Sequence, residues 1–205
     1  MTITSVEKFR DKDMVRVFID NNYSFTIPKE DYIRNGLYEE TEISEEQLSV
    51  IRNKVLVHAA RERAVRFLTF KDRSEGEILE KLKDVGFDAD VAKTAADELK
   101  TIGYVDDNRY SMKYLSERIR TKALSKKSLA YELKNKGINS EIIEKALAEF
   151  EIDDYEVALR EAKRKFSKYD MSDEKIEQKV YRFLLHRGFS YDVAGKVIGI
   201  MKQEI

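Results

Sequence analysis

The side chains with most chemistry to offer are cations. Between Arg109 and Gly137 the chain carries Arg109, Lys113, Arg118, Arg120, Lys122, Lys126, Lys127, Lys134 and Lys136 against only Glu117 and Glu132. Such an excess attracts phosphates or an acidic protein groove. The competing reading is a solvated helical face, ordinary in a chain that is 38% charged, but the local scarcity of acids favours a binding role. Arg160, Lys163, Arg164, Lys165 and Lys168 extend the stripe. Tyr104, Tyr110, Tyr114 and Tyr131 lie among these charges, and their rings suit stacking on bases. The i, i+4 spacing of Tyr110 and Tyr114 fits core packing better.

Evidence for catalysis is absent. Asp106-Asp107 resembles a carboxylate pair for metal or acid–base work, yet it stands just before a helical pattern, where capping and dipole compensation explain it. His58 and His186 are the only histidines and have no metal-ligand or triad spacing around them. There is no Walker A or GxGxxG loop, and there are no cysteines, which excludes disulfides, thiol catalysis and thiolate metal sites. The chain reads as a non-enzyme without cofactor or metal.

Its 205 residues include only 8 glycines and 1 proline, too few for a fold of many tight turns. The net charge of −1 hides an uneven distribution: residues 30–46 hold seven acids against Arg34. Glu39, Glu40, Glu42, Glu45 and Glu46 could form a partner patch, though a helix start accounts more simply for those nearest Ser44. No apolar run is long enough to span a membrane. Met1–Lys8 has no leader-like apolar core, so a cytoplasmic monomer is expected.

The elements that position these residues follow from periodicity. Val15, Val17 and Ile19 alternate with Arg16, Phe18 and Asp20, and Tyr23, Phe25 and Ile27 with Ser24 and Thr26, which predicts a hairpin turning at Asn21-Asn22 and ended by Pro28. Ile3–Phe9 is expected to add a third strand. Ser44-Glu45-Glu46-Gln47 has the form of a capping box and opens a long helix over 44–71 with an apolar face of Leu48, Ile51, Val55, Leu56, Ala59 and Phe67. Ser74-x-x-Glu77 opens the next one.

Beyond this lies an internal repeat. Gly86, Gly137 and Gly188 are spaced 51 and 51 residues apart. Four before each stands Leu82, Leu133 or Leu184; eight before, Ile78, Leu129 or Val180; one after, Phe87, Ile138 or Phe189. Five, nine and thirteen after come Val91, Ile142, Val193; Ala95, Ala146, Val197; and Leu99, Phe150, Met201. A glycine at the left-handed C′ position ends one helix, and Asp88, Asn139 or Ser190 caps the next. With a further helix before each pair (44–71, about 107–121, about 154–168), the fold is mainly α. It comprises three tandem three-helix repeats in an elongated, curved body, preceded by a small N-terminal β-hairpin sheet. The expected boundaries are 1–43, 44–103, 104–152 and 153–205.

Arg73-Ser74-Glu75-Gly76-Glu77-Ile78, Leu82-Lys83-Asp84-Val85-Gly86-Phe87 and Leu99-x-x-x-Gly103-Tyr104-Val105-Asp106-Asp107-x-Arg109-Tyr110 resemble the RecX family of recombinase regulators. So do Glu132-Leu133-Lys134-Asn135-Lys136-Gly137-Ile138 and Leu184-Leu185-His186-Arg187-Gly188-Phe189. The resemblance covers roughly residues 50–203. It departs at Lys122-Ala123-Leu124-Ser125, where the family often carries a glycine. It implies a non-catalytic regulator that binds the RecA filament on single-stranded DNA. Such a regulator suppresses filament growth, ATP hydrolysis, strand exchange and co-protease activity, and so modulates recombination, repair and the SOS response. On that reading Arg109, Lys113, Arg118, Arg120, Lys122, Lys126, Lys127, Arg160, Lys163 and Arg164 face the partner, with weak direct DNA contact. The alternative is a general helical nucleic-acid-binding module using the same basic stripe.

Overall fold

The computed structural model describes residues 1–203. They form two compact units, Met1–Asp106 and a second beginning at Asp107. The first repeat shares its unit with the sheet; the second and third repeats share the other.

In the first unit, β1 (Ile3–Lys8), β2 (Met14–Ile19) and β3 (Asn22–Pro28) make an antiparallel sheet in the order β1-β2-β3. The hairpin turns one residue earlier than the sequence suggests. Ile19 pairs with Asn22, and Asp20 and Asn21 take φ of 47° and 65°, the two left-handed residues of a type I′ turn. The register then shifts between Val17 and Phe18, which pair with Phe25 and Tyr23 and leave Ser24 as the extra residue of a bulge. That shift rotates Tyr23 out of the face it was expected to share with Phe25 and Ile27. Those two are fully buried, whereas Tyr23 is exposed. The guanidinium of Arg52 donates to the bulged Ser24 carbonyl at 2.5 Å.

A short helix that the sequence reading did not anticipate, α1 (Lys29–Arg34), follows. The long helix is continuous in three stretches: α2 (Glu45–Val50), a π segment (Ile51–Leu56) and α3 (Val57–Leu68). The wider π turn brings residues five apart towards one side, so Ile51 and Leu56 are both buried. Both expected capping boxes are present, Ser44 with Gln47 and Ser74 with Glu77. Helices α4 (Glu75–Asp84) and α5 (Ala89–Thr101) complete the repeat. Its core is continuous with the inner face of the sheet: Val17, Phe25 and Ile27 belong to one cluster with Leu56, Ala60, Leu82 and Phe87. A three-stranded sheet with one apolar face acquires stability by such packing.

The second unit contains α6 (Asp107–Thr121), α7 (Lys126–Lys134) and α8 (Ser140–Ala148), then α9 (Asp154–Phe166), α10 (Glu174–His186) and α11 (Tyr191–Gln203). Each trio has its own core, around Leu115, Leu129 and Leu133 in one and Ala158, Val180 and Leu184 in the other. No helix among the described residues is long and apolar enough to cross a membrane.

The 51-residue register has its expected cause. Gly86, Gly137 and Gly188 have φ of 103°, 76° and 84°. Each donates to the carbonyl three residues back, while Phe87, Ile138 and Phe189 donate to Leu82, Leu133 and Leu184 at 3.1, 3.2 and 3.2 Å. This is the two-bond Schellman stop. All the apolar columns are buried except Ile142, Phe150 and Val193, which are partly so. Asn139 and Ser190 cap the following helices through their side chains. Asp88 stands at the corresponding position, but its carboxylate accepts the Tyr23 hydroxyl at 2.9 Å and makes no cap bond. The bulge that exposed Tyr23 thereby ties the sheet to the first repeat.

The stops are also points of close approach. A methyl group at Gly86 would come within 2.8 Å of Thr26 Cγ2, and one at Gly188 would overlap the Ser128 hydroxyl oxygen. Gly103 makes the same pair of stop bonds at φ 79°, with nothing within 4 Å of an added methyl. Alanine at Gly103 should therefore cost only the left-handed strain, about 1–2 kcal/mol. Alanine at Gly86 or Gly188 should cost more, about 2–4 kcal/mol, because overpacking adds to it. Urea unfolding of the three variants should give that ranking; three equal costs would mean that the close approaches are relieved without penalty.

Glu75 pins α4 to α5 through Lys93 at 2.9 Å and Lys100 at 2.7 Å. Partial burial works to raise its pKa, and the hydrogen bonds from Lys100 and Lys93 outweigh it, leaving the carboxyl below its ordinary range. A depressed folded-state value contributes stability above the unfolded pKa, about 4.3, and loses it as pH falls through the folded value. Glu75→Gln should accordingly destabilise at neutral pH, by up to about 1 kcal/mol for a solvent-accessible pair. Urea midpoints measured against pH should converge with wild type in acid; a gap that stays constant would show that the carboxylate's charge is not what matters.

Candidate partner-binding surface

Two kinds of cation emerge from the basic stretch. On α6, Ser111 and Leu115 are buried, and the helical repeat places Arg109, Lys113 and Arg120, at spacings of four and seven, on the opposite, exposed face. Arg118 belongs to a different row. It was expected to be exposed, but its side chain is only 27% accessible. Its Nε donates to the Tyr114 hydroxyl at 3.0 Å and lies 2.8 Å from Glu132 Oε2, with the guanidinium 5.0 Å from the Tyr114 ring centre. Tyr114 in turn donates to Glu132 at 2.8 Å and stacks on Tyr110 at 5.9 Å. Burial pushes the Tyr114 phenol upward in pKa; the Glu132 carboxylate reinforces this and Arg118 opposes it. Arg118 is thus a cross-link from α6 to α7, and Tyr110 and Tyr114 pack against the core of their repeat. Tyr104 and Tyr131 remain exposed.

Arg120, Lys122, Lys126 and Lys127 line the short connection from α6 into α7 and are all exposed. None has a side-chain ion pair or hydrogen-bond partner among the described residues. Lys126 and Lys127 occupy the first turn of α7, which contains no acid. Cations are disfavoured there by the helix dipole, by about 0.3–1 kcal/mol each. The turn is held by other means. Ser125 accepts the Ser128 N–H at 3.1 Å, and Asp154, at the start of α9, accepts the Lys126 N–H at 2.8 Å. On α9, Arg160 is exposed without a partner among the described residues, whereas Arg164 donates to Glu161 at 2.6 Å. Lys163 lies beside it, half-buried.

The residue that sequence reasoning missed is Arg187. Its guanidinium lies 4.6 Å from the Phe183 ring centre, donates to the Ala123 carbonyl at 2.9 Å and sits 3.8 Å from the buried carboxylate of Glu161. Its own carbonyl accepts the Ser125 N–H at 3.2 Å and the Ser128 hydroxyl at 3.1 Å. The third repeat therefore grips the Lys122–Ser125 connection on both sides of Arg187, and Gly188 admits Ser128 against it. No residue of that connection has positive φ, so its geometry does not require a glycine. Its only visible signal was a cation directly before a helix-stop glycine, which reads as ordinary dipole compensation. Among the described residues no cluster of potential metal ligands occurs.

Unfolding measurements should separate the two kinds of cation. Arg118→Ala and Arg187→Ala should each cost about 1–3 kcal/mol, since each leaves buried or half-buried acceptors unpaired. Arg120→Ala and Arg160→Ala should stay within about 0.5 kcal/mol. Equal costs across the four would dissolve the distinction.

Comparison with known proteins matches the three-repeat fold. Residues 60–99, 106–147 and 151–198 match the first, second and third three-helix domains of RecX. Regulatory protein RecX of Clostridium botulinum (strain Eklund 17B / Type B) is 30% identical over 97% of this chain and 94% of its own. That of Clostridium acetobutylicum is 33% identical over 96% and 94%. A crystal structure of regulatory protein RecX superposes with a TM-score of 0.61 at 25% identity, covering 96% of this chain and 98% of that one. RecX from Lactobacillus salivarius shares the fold, with a TM-score of 0.59 over 74% of this chain and 99% of its own. With all three domains matched in order and relatives aligned from end to end, the chain belongs to the RecX family of regulatory proteins.

Proposed function

We propose that this protein binds the RecA recombinase filament on single-stranded DNA and restrains its recombinase, ATPase and co-protease activities, acting as a monomer in the cytoplasm. The observation that supports a polyanionic partner is the corner formed by Arg120, Lys122, Lys126 and Lys127. Four exposed cations stand there without acidic partners among the described residues, two of them against the field of their own helix. A surface that carries this repulsion in the free protein is relieved of it when phosphates or acidic side chains arrive. Arg160, also exposed without a partner among the described residues, adds to this charge from α9, and Arg109, Lys113, Lys163 and Arg164 are further cations on α6 and α9 assigned to the partner. Arg118 has its place in the α6–α7 cross-link and is not assigned to the partner.

Simultaneous reversal of Arg120, Lys122, Lys126 and Lys127 to glutamate should leave helicity unchanged. It should raise the concentration needed to inhibit RecA-driven ATP hydrolysis by at least about tenfold, the loss expected from several phosphate or carboxylate contacts. Added salt should weaken wild-type inhibition in the same direction. The assay is ATP hydrolysis by a matched RecA on single-stranded DNA, titrated with each protein and run beside binding to naked single strands. Undiminished inhibition by the reversed variant would move the contact elsewhere. Wild-type binding to naked DNA without inhibition would favour a general nucleic-acid module.

A further inference from the structure

The first unit carries a groove of about 380 Å³ that the basic surface does not involve. Leu37, Ile43 and Ile51, almost fully buried, form its apolar floor, and Val50, 45% exposed, stands at its wall. Glu42 and Glu46 also line it, and no lysine, arginine or histidine does among the described residues. Glu40 and Glu45 adjoin them in the chain. None of these four carboxylates has an ion-pair or hydrogen-bond partner among the described residues, and all four are exposed. Of the acids over 30–46, Glu42 and Glu46 thus stand at an apolar recess, whereas Glu30 and Asp31 line a different pocket and Glu39 accepts the Val6 N–H.

The recess is also preformed. Glu40 donates to the Ile3 carbonyl at 2.8 Å, Ile3 donates to Thr41 at 2.9 Å, and Ile43 donates to Met1 at 2.9 Å. These bonds fasten the segment before α2 to the outer edge of β1. The Ser44–Gln47 capping box fixes the start of α2. A site already held in shape loses little freedom on binding, and its volume lies at the low end of those that take ligands. It has room for one or two apolar side chains.

From this juxtaposition we propose that the groove docks a short basic protein segment bearing one apolar anchor. The anchor occupies the Leu37–Ile43–Ile51 floor and supplies most of the affinity. Lysines or arginines on either side of it meet Glu42 and Glu46, and the unpaired acids exclude acidic or neutral sequences. The proposal stands apart from the RecA reading and does not depend on it.

The probe is a fluorescent peptide, Ser-Arg-Lys-Leu-Lys-Arg-Ser, titrated by anisotropy against the full-length protein. Beside it run a version with alanine for leucine and one with glutamates for the basic residues. The leucine peptide should bind at least about tenfold more tightly than the alanine peptide, as burial of the anchor requires, and the acidic peptide should not bind. The double variant Glu42→Lys, Glu46→Lys should weaken binding by about tenfold or more, and added salt should act likewise. Val50→Arg, at an exposed position that the fold tolerates, should abolish the advantage of leucine over alanine. Failure of the leucine peptide to saturate, equal binding of leucine and alanine peptides, or indifference to the charge reversal would overturn the proposal. Sedimentation completes the test: self-association of the wild type that disappears in the Glu42→Lys, Glu46→Lys variant would assign the groove to a second copy of the chain instead.

Discussion

Three glycines held at positive φ set the geometry on which each repeat depends. A left-handed residue at the end of a helix reverses the chain within two residues and turns the next apolar side chain back onto the last helical turn. At Gly86, Gly137 and Gly188 this places Phe87, Ile138 and Phe189 over Leu82, Leu133 and Leu184. The cap of the following helix comes one residue later, and the helix itself at the next. Because the columns on either side are counted from that glycine, moving it by one position would rotate an entire helix relative to its partner, and every core residue with it. The absence of a side chain matters a second time at Gly86 and Gly188, where Thr26 and Ser128 come up against the backbone.

Within this scaffold, the cations divide by what surrounds them. Arg118 and Arg187 are drawn in by aromatic rings, carbonyls and carboxylates, and their charge is satisfied inside the second unit. The side chains of Arg120, Lys122, Lys126, Lys127 and Arg160 reach solvent without an ion-pair or hydrogen-bond partner among the described residues. The same residue types within one short stretch thus serve two ends. A half-buried arginine with planar partners is a rigid strut, while an exposed lysine without an acid nearby retains its field for another molecule.

What could be read from the sequence was whatever repeats or follows a local rule. The glycine register, the two capping boxes and the helices of all three repeats come from side chains interacting within a few positions of one another. The misses are non-local. The turn at Asp20-Asn21 instead of Asn21-Asn22 depends on the register chosen by the flanking strands, and the bulge at Ser24 depends on Arg52 being available to take up its carbonyl. Asp88 has the composition of a cap, yet Tyr23, 65 residues away, claims its carboxylate. Arg118 looked like any member of a basic stripe because its distinguishing partner, Glu132, lies on the next helix. Arg187 could not be recognised without knowing that Ala123 and Ser125 lie beside it.

The grip of Arg187 and Asp154 on the start of α7 also carries a consequence for the order in which the chain is completed. The sheet and the first repeat draw all of their own core from residues up to Val105, so a nascent chain can close that core early, as N-terminal units generally do during synthesis. The second repeat also has its own core, but its entry into α7 is held from outside it. The first turn of α7 is held by a carboxylate 28 positions later and a carbonyl 59 positions later, and the connection before it by a guanidinium 64 positions later. Until those positions have left the ribosome, the Lys122–Ser125 connection lacks its anchors and α7 is free to fray at its start. The corner that carries four unpaired cations is therefore among the last parts of the molecule to acquire its shape, and it does so only in a chain translated through its third repeat.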